Sequence, residues 1–365
     1  MRVLLLADSC NPQWPSLPSV GYRACRAIAQ KVDVVLATHV RNRDAISSEP
    51  IPNARVEYID NEYIAKPLSK IARILRGGSK VSWTTGVAML YPAYLAFEYE
   101  VWKRFKEEIR AGQFDIIHRV TPMSPTIPSP MAKWSPTPFV LGPLNGGLRW
   151  PRGYGAELRR EREWLAYVRN AYKILPYRKA TYEKSAAVLA GFQHTINDLP
   201  PRIGPRVVDF PEVGIDPERF HAEPNRTEGE CLTFIFVGRL VPYKCPDVVV
   251  RAFAASPELR KHRLLMVGDG PDRERLLKLA EEHRLGDSIE WAGWRTQEEV
   301  AGLMRAAHVF VFPSIRELGA GVVVEAMASG LVPVVVGYGA PGHLVGETGR
   351  VVPLADKDEM VRHFT

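Results

Sequence analysis

Cysteine is scarce in this chain: four in 365 residues, at Cys10, Cys25, Cys231 and Cys245, with neither CxxC nor metal-ligand spacing. That excludes a disulfide framework and a zinc site, and it fits a reducing, cytoplasmic compartment. Long apolar runs are missing too. The longest, Val81 to Phe97, is broken by Gly86 and Pro92 and falls short of the roughly 20 residues a membrane span needs. The opening Met1-Arg2 followed by Val3–Ala7 lacks the length and cleavage site of a signal peptide and reads as a buried first strand. No repeat at 20–50 residue spacing, no low-complexity tract and no nucleic-acid motif occurs, so nucleic acid is not an expected partner. No GxGxxG follows the first strand. Val237-Gly238-Arg239-Leu240 follows a later one without the glycine spacing of a pyrophosphate turn, which weighs against a dinucleotide dehydrogenase.

What is present is a soluble globular composition, 46% hydrophobic and 24% charged, in a chain long enough for two domains of roughly 150–200 residues. The net charge of +7 suits partners that carry phosphate: nucleotides, lipid headgroups or nucleic acid. It does not choose among them.

The second half alternates strand and helix patterns. Strands are expected at Leu232–Val237, Leu264–Val267, Ile289–Trp291, Val309–Phe312 and Val332–Val336, the last closing the series. Helices of ten or more residues between them mean βαβ units on a parallel sheet. The first half follows the same grammar, with strands at Val3–Ala7, Val32–Thr38, Val56–Ile59, Asp115–His118, Phe139–Gly142 and Ala187–Ala190 and long helices at Tyr94–Ala111 and Ala156–Lys184. The fold class is therefore α/β, with two Rossmann-like domains. We place the first at 1–210, a linker at 211–230 and the second at 231–365.

Four features of the second half gather at strand C-termini, where open α/β sheets bind ligands. Gly238 lets backbone approach a ligand, and Arg239 and Lys244 bring two cations to that edge; they are either phosphate ligands or solvated basic residues. Gly268-Asp269-Gly270-Pro271 is a tight turn that either shapes a nucleotide wall or simply starts a helix. Glu317 and Glu325 flank seven residues, among them Gly319, Ala320, Gly321 and Val322. These expose backbone N–H groups at a helix start, a site for phosphate or a sugar hydroxyl. Glu317 then takes sugar hydroxyls and Glu325 ribose, unless they are a surface glutamate and a helix-start glutamate; a glycosidase pair lacks the rest of its cleft. Gly330–Gly337 again ends a strand in flexible backbone.

These motifs, with Phe312-Pro313-Ser314, Glu325-Ala326-Met327-Ala328-Ser329-Gly330 and Thr348-Gly349, resemble the nucleotide-sugar domain of the family 4 glycosyltransferases, the glycosyl transferases group 1. The resemblance runs strongly from Phe236 to about Pro353 and loosely through the first half. Val213-Gly214-Ile215-Asp216 and Phe220 are similar to the family's interdomain signature, with Val213 in place of Asn. The resemblance implies a GT-B fold, two Rossmann-like domains facing each other across a cleft. It also implies a metal-independent, retaining transferase that takes a nucleotide diphosphate sugar as co-substrate and needs no cofactor. Arg239 and Lys244 would hold diphosphate, Glu317 the sugar and Glu325 the ribose. Leu318-Gly319-Ala320-Gly321 stands where Gly-Phe-Gly-Leu is common, and His343 where an acidic residue is frequent. The chain also stops at Thr365, early for a family whose last helix usually returns to the first domain.

On the first domain, Asn11–Gly21 is expected as an acceptor-side loop with Gly21 its best candidate. His118 closes a strand in either a structural or a catalytic role. Asn145 and Gly146, in Leu141–Gly147, contact donor sugar or acceptor, or form a plain turn. The acceptor is a glycan, a lipid-linked sugar or a small molecule. Lys66, Lys70 and Arg73, and the Arg-rich stretch 149–184 with Trp164, Tyr167, Tyr172 and Tyr177, fit either a solvated helix face or peripheral contact with anionic membrane at its inner face. The rival readings are a nucleotide-sugar epimerase of GT-B fold and a catalytically silent nucleotide-sugar binding protein.

Overall fold

The computed structural model describes residues 1–14, 16–75, 83–161, 172–223 and 229–365, with backbone only for 69–75 and 83–90. The chain divides into two units, Met1–Gly147 with Arg162–Glu212, and Leu148–Glu161 with Val213–Thr365. Residues 148–161 lie inside the first expected domain by sequence but belong to the second unit by packing.

The first unit is built on a parallel sheet of β1 (Arg2–Ala7), β2 (Asp33–His39), β3 (Ala54–Ile59), β4 (Ile116–Thr121), β5 (Phe139–Leu144), β6 (Ser185–Ala190) and β7 (Val207–Asp209), ordered 3-2-1-4-5-6-7. Period-two alternation explains its two cores. Leu4, Leu6, Val35 and Ala37 pack on one face beneath Phe97, Phe105 and Phe139, while Val3, Leu5, Ala7, Val34 and Leu36 pack on the other against Tyr22 and Cys25. A sheet buried on both faces reads as a continuous apolar run, as 3–7 does. β7 was not expected; three residues at a sheet edge carry no detectable period. The helix expected over Ala156–Lys184 is two pieces, Gly155–Arg160 and Arg178–Lys184, and 162–171 lie outside the described residues.

The second unit holds β8 (Thr233–Val237), β9 (Arg263–Val267), β10 (Ile289–Gly293), β11 (Val309–Phe312), β12 (Val332–Val336) and β13 (Arg350–Val352), all parallel, in the order 10-9-8-11-12-13. β12 does not close the series. β13 follows it, and a helix at Lys357–Phe364 is N-capped by the Asp356 carboxylate, which accepts from the Asp358 and Glu359 N–H groups at 3.0 and 2.9 Å.

Both sheets reverse strand order once, between β1 and β4 and between β8 and β11. Ligands of doubly wound sheets bind at that point, outside the strand C-termini. In the second unit the β8–β11 ladder pairs only Phe234 and Ile235 with Val309 and Phe310, ending two residues short of Val237.

Candidate donor site

The turn after β8 is locked to the turn after β9. The Gly238 N–H donates to the Val267 carbonyl at 2.9 Å, Leu240 N–H to Asp269 at 3.0 Å and Asp272 N–H to Leu240 at 3.1 Å. Gly268 has φ +134°, and a Cβ there would run into the Gly238 carbonyl, so only glycine fits. The Gly268–Gly270 turn thus supports the Gly238 turn, and the helix it leads into begins at Arg273, two residues beyond Pro271.

Lys244 ends a single 3-10 turn, Pro242–Lys244, and its alkyl stem lies over Gly238. Its ammonium pairs with Glu317 and sits 4.7 Å from the centroid of the Phe312 ring and 5.6 Å from that of Tyr243. The Lys244 and Glu317 side chains are 12% and 14% exposed. Burial disfavours the ammonium, but the Glu317 carboxylate outweighs it and raises the Lys244 pKa. Lys244 therefore stays charged. Arg239 is exposed, makes no ion pair among the described residues, and acts on Lys244 electrostatically.

Glu317 lies on the loop after β11, held from three sides. The Ser314 hydroxyl stands 3.1 Å from its carboxylate, the Ala340 N–H donates to its carbonyl at 3.0 Å, and the residue bridges to Gly339. Ile315 N–H ties the same loop to the Tyr243 carbonyl at 2.9 Å. The two strands flanking the switch point therefore deliver the cation and the carboxylate to one spot.

Gly319 precedes Ala320, whose φ of 52° and ψ of 44° turn the chain into the helix Gly321–Ala328. No side chain caps that helix start, so the N–H groups of Gly321 and Val322 offer an anion site. Glu325 sits one turn into the helix, half-buried, and its carbonyl accepts from the Ser329 hydroxyl at 2.9 Å. The helix starts four residues after Glu317, so Glu325 is nearer to it along the axis than two full turns would place it.

The four acceptor-side candidates fare differently. Gly21 is in the helix Leu17–Ala29 instead of a loop; it is buried, and a Cβ would strike the Ser9 carbonyl and Thr121. It serves helix–sheet packing. His118 lies mid-strand in β4 instead of closing it. Its buried Nε2–H donates to the Gly142 carbonyl at 2.6 Å, and burial lowers its pKa to about 4 despite that bond. Asn145 donates its side-chain amide to Glu212 and its N–H to Met123 at 2.7 Å. Gly146 exchanges both backbone groups with the Thr195 hydroxyl, at 3.2 and 3.0 Å. Burial raises the Glu212 carboxyl to about 7 although its own N–H and Asn145 bond it.

Sequence reasoning missed Asp8. It directly follows β1 at the first unit's switch point and accepts from Thr121 at 3.0 Å and the Ser9 N–H at 2.8 Å through Oδ1. Burial raises its pKa against those bonds and the Arg119 charge. A lone carboxylate directly after an apolar strand was the available signal.

Of the basic-aromatic segments, the side chains of Lys70 and Arg73 and all of Trp164 and Tyr167 lie outside the described residues. Lys66 pairs with Glu62 at 3.5 Å, and Tyr172 donates to Asp198 at 3.0 Å. Among the described residues no helix is long and apolar enough to cross a membrane.

Residues 218–365 match the family described as glycosyl transferases group 1. Curated relatives match part of the chain. The D-inositol 3-phosphate glycosyltransferase of Streptomyces bingchenggensis is 33% identical over 144 residues, 34% of this chain and 32% of the relative. The 2-deoxystreptamine glucosyltransferase of Streptomyces kanamyceticus is 32% identical over 159 residues, 40% of each chain. The match thus spans 32% of the length of the first relative and 40% of the second. Among solved structures, Anabaena Alr3699/HepE in complex with UDP aligns over 100% of this chain and 89% of its own with a TM-score of 0.64 at 15% identity. Sucrose-phosphate synthase of Thermosynechococcus elongatus aligns over 99% and 88% with a TM-score of 0.62 at 18% identity. The fold is GT-B. The matched stretch, 218–365, contains Gly238, Arg239, Lys244, Glu317, Gly319–Val322 and Glu325.

Proposed function

We propose that the chain is a retaining glycosyltransferase that moves a sugar from a nucleotide diphosphate sugar to a hydroxyl-bearing acceptor. The observation that carries this is the pairing of Lys244 with Glu317 at the switch point of the second sheet. As the bond from the anomeric carbon to the diphosphate lengthens, negative charge gathers on the leaving oxygen. Lys244 and Arg239 stabilise it there, with the uncapped start of the helix Gly321–Ala328. Glu317 accepts hydrogen bonds from the sugar, and Glu325 binds ribose one helical turn further. With two cations in place, the reading assigns neither a metal nor a cofactor to the site.

The donor side draws support from the group 1 match and from HepE, which was crystallised with UDP. For the acceptor, the reading uses the first unit's switch point, where Asp8 offers a carboxylate oxygen to a hydroxyl. It places the protein in the cytoplasm, with an anionic membrane surface as a partner if the acceptor is lipid-linked. Incubation of the purified chain with labelled nucleotide sugars tests it. Transfer, or slow donor hydrolysis, supports the proposal; sugar isomerisation or binding without turnover overturns it in favour of an epimerase or a silent binder.

A further inference from the structure

The segment Leu148–Glu161 leaves the first unit's chain between β5 and β6 and packs wholly within the second unit. Its charged end is pinned by ion pairs. Glu157 and Asp247 share the Lys357 ammonium at 2.9 and 3.0 Å, and Arg160 pairs with Asp272. Its aromatic middle is buried. Tyr154 packs with Cys245, Val248, Ile315 and Met360 and donates its hydroxyl to the Ala355 carbonyl at 2.6 Å. Such anchoring of a loop has structural meaning by itself, but the other contacts lead to the donor pair.

Leu148 lies against Gly339, the residue that bridges to Glu317; a Cβ on Gly339 would strike both Leu148 and the Glu317 carbonyl. The Trp150 ring centroid is 5.3 Å from the guanidinium carbon of Arg316, the residue before Glu317. The helix Gly155–Arg160 packs on the turn Pro242–Lys244. One segment thus touches the carriers of both charges.

We propose that Leu148–Glu161 is a brace for the Lys244–Glu317 pair, and that Trp150 is a positioning residue acting through Arg316 on Glu317. The inference rests on the donor-site reading above. An arginine on a loop has many rotamers; an indole face narrows them by cation–π attraction and so fixes the backbone that aims the next side chain. Displacement of a reacting group by about 1 Å costs on the order of 100-fold, and loss of one stacking partner should cost less.

The test uses the full chain and four variants: Trp150→Ala, Trp150→Phe, Arg316→Ala, and the double variant Trp150→Ala/Arg316→Ala. Lys244→Ala is the control for the site itself. Trp150→Ala is expected to lower kcat about 10-fold while UDP affinity holds, with only a modest fall in Tm because the indole is partly buried against the core. Trp150→Phe should restore most of it, and Arg316→Ala should match it without adding to it in the double variant. A readout independent of turnover is limited tryptic cleavage after Arg316, slow in the wild type and in Trp150→Phe and fast in Trp150→Ala. Wild-type kcat and protection in Trp150→Ala would overturn the brace, as would a fall matched by equal losses in Tm and UDP affinity. If Lys244→Ala impairs UDP binding and turnover while Trp150→Ala does neither, the brace alone fails. If Lys244→Ala changes nothing, the donor-site reading fails with it.

Discussion

Lys244 and Glu317 stand 73 residues apart in sequence and form one ion pair across the two loops that flank the second sheet's switch point. A carboxylate beside a diphosphate would repel it; paired, its charge is offset, and its remaining acceptor capacity can face a sugar. On the proposed reading, the pair puts one group at the diphosphate and one at the sugar.

Lys244→Ala should cut turnover by roughly 100-fold or more, because the leaving diphosphate loses its buried cation. It should also cost about 1–3 kcal/mol of stability, since Glu317 is left desolvated and unpaired. Lys244→Met/Glu317→Gln should regain stability without regaining activity. Denaturant unfolding and steady-state rates on the same samples check both parts; normal turnover in Lys244→Ala would mean the phosphate site is misplaced.

The two glutamates should separate kinetically. Glu317→Gln removes a sugar contact that strengthens at the transition state and should lower kcat, whereas Glu325→Gln removes a uniform ribose contact and should raise donor KM. Calorimetry with UDP should show weaker binding to Glu325→Gln only. Unchanged UDP affinity in that variant rules Glu325 out as the ribose ligand.

EDTA should leave activity unchanged, since Arg239 and Lys244 supply the positive charge that a divalent ion would otherwise bring. Full loss reversed by Mg²⁺ or Mn²⁺ would sink this division of roles.

The second sheet was readable because each strand is a short apolar run between helices with strong period. β11 and β12 fall where the pattern put them, at Val309–Phe312 and Val332–Val336. The candidate residues were picked for a local reason: Gly238, Lys244 and Glu317 lie on the loops after strands, and Glu325 on the helix that follows. What was hidden is long-range. Nothing in 148–161 shows that Tyr154 belongs to a core made by residues 245–361, and nothing around Gly21 shows that its missing Cβ makes room for a carbonyl twelve residues upstream. The Lys244–Glu317 pairing itself was also invisible, because each residue was read for a ligand and not for the other.

Tyr154→Phe should cost about 1 kcal/mol, the hydrogen bond to Ala355, and Tyr154→Ala about 3–5 kcal/mol through the cavity left behind. A fragment of 213–365 should be less stable than one with 148–161 fused to it. Chemical denaturation of the two fragments decides; equal midpoints would show that the segment contributes nothing to the second core.

The Glu212 carboxyl, raised from 4.5 to about 7, stays protonated in the fold at pH values where the unfolded chain has released its proton. Its contribution to stability is full below about 4.5 and is lost as pH rises through about 7. Glu212→Gln should therefore gain Tm over the wild type at pH 8 and not at pH 4. His118, lowered to about 4, slopes the other way but is common to both proteins and cancels in the difference. A Tm difference that is flat with pH counts against this assignment.

Tyr154 finds its partners Ala355 and Met360 201 and 206 residues later in the chain. On a ribosome adding about 5–20 residues per second, that is a wait of about 10–40 s. β6 and β7 can join the first sheet in that time, while the apolar face of 148–161 stays exposed. The burial of this segment is thus tied to residues made about 200 positions later, so the second core closes late in synthesis.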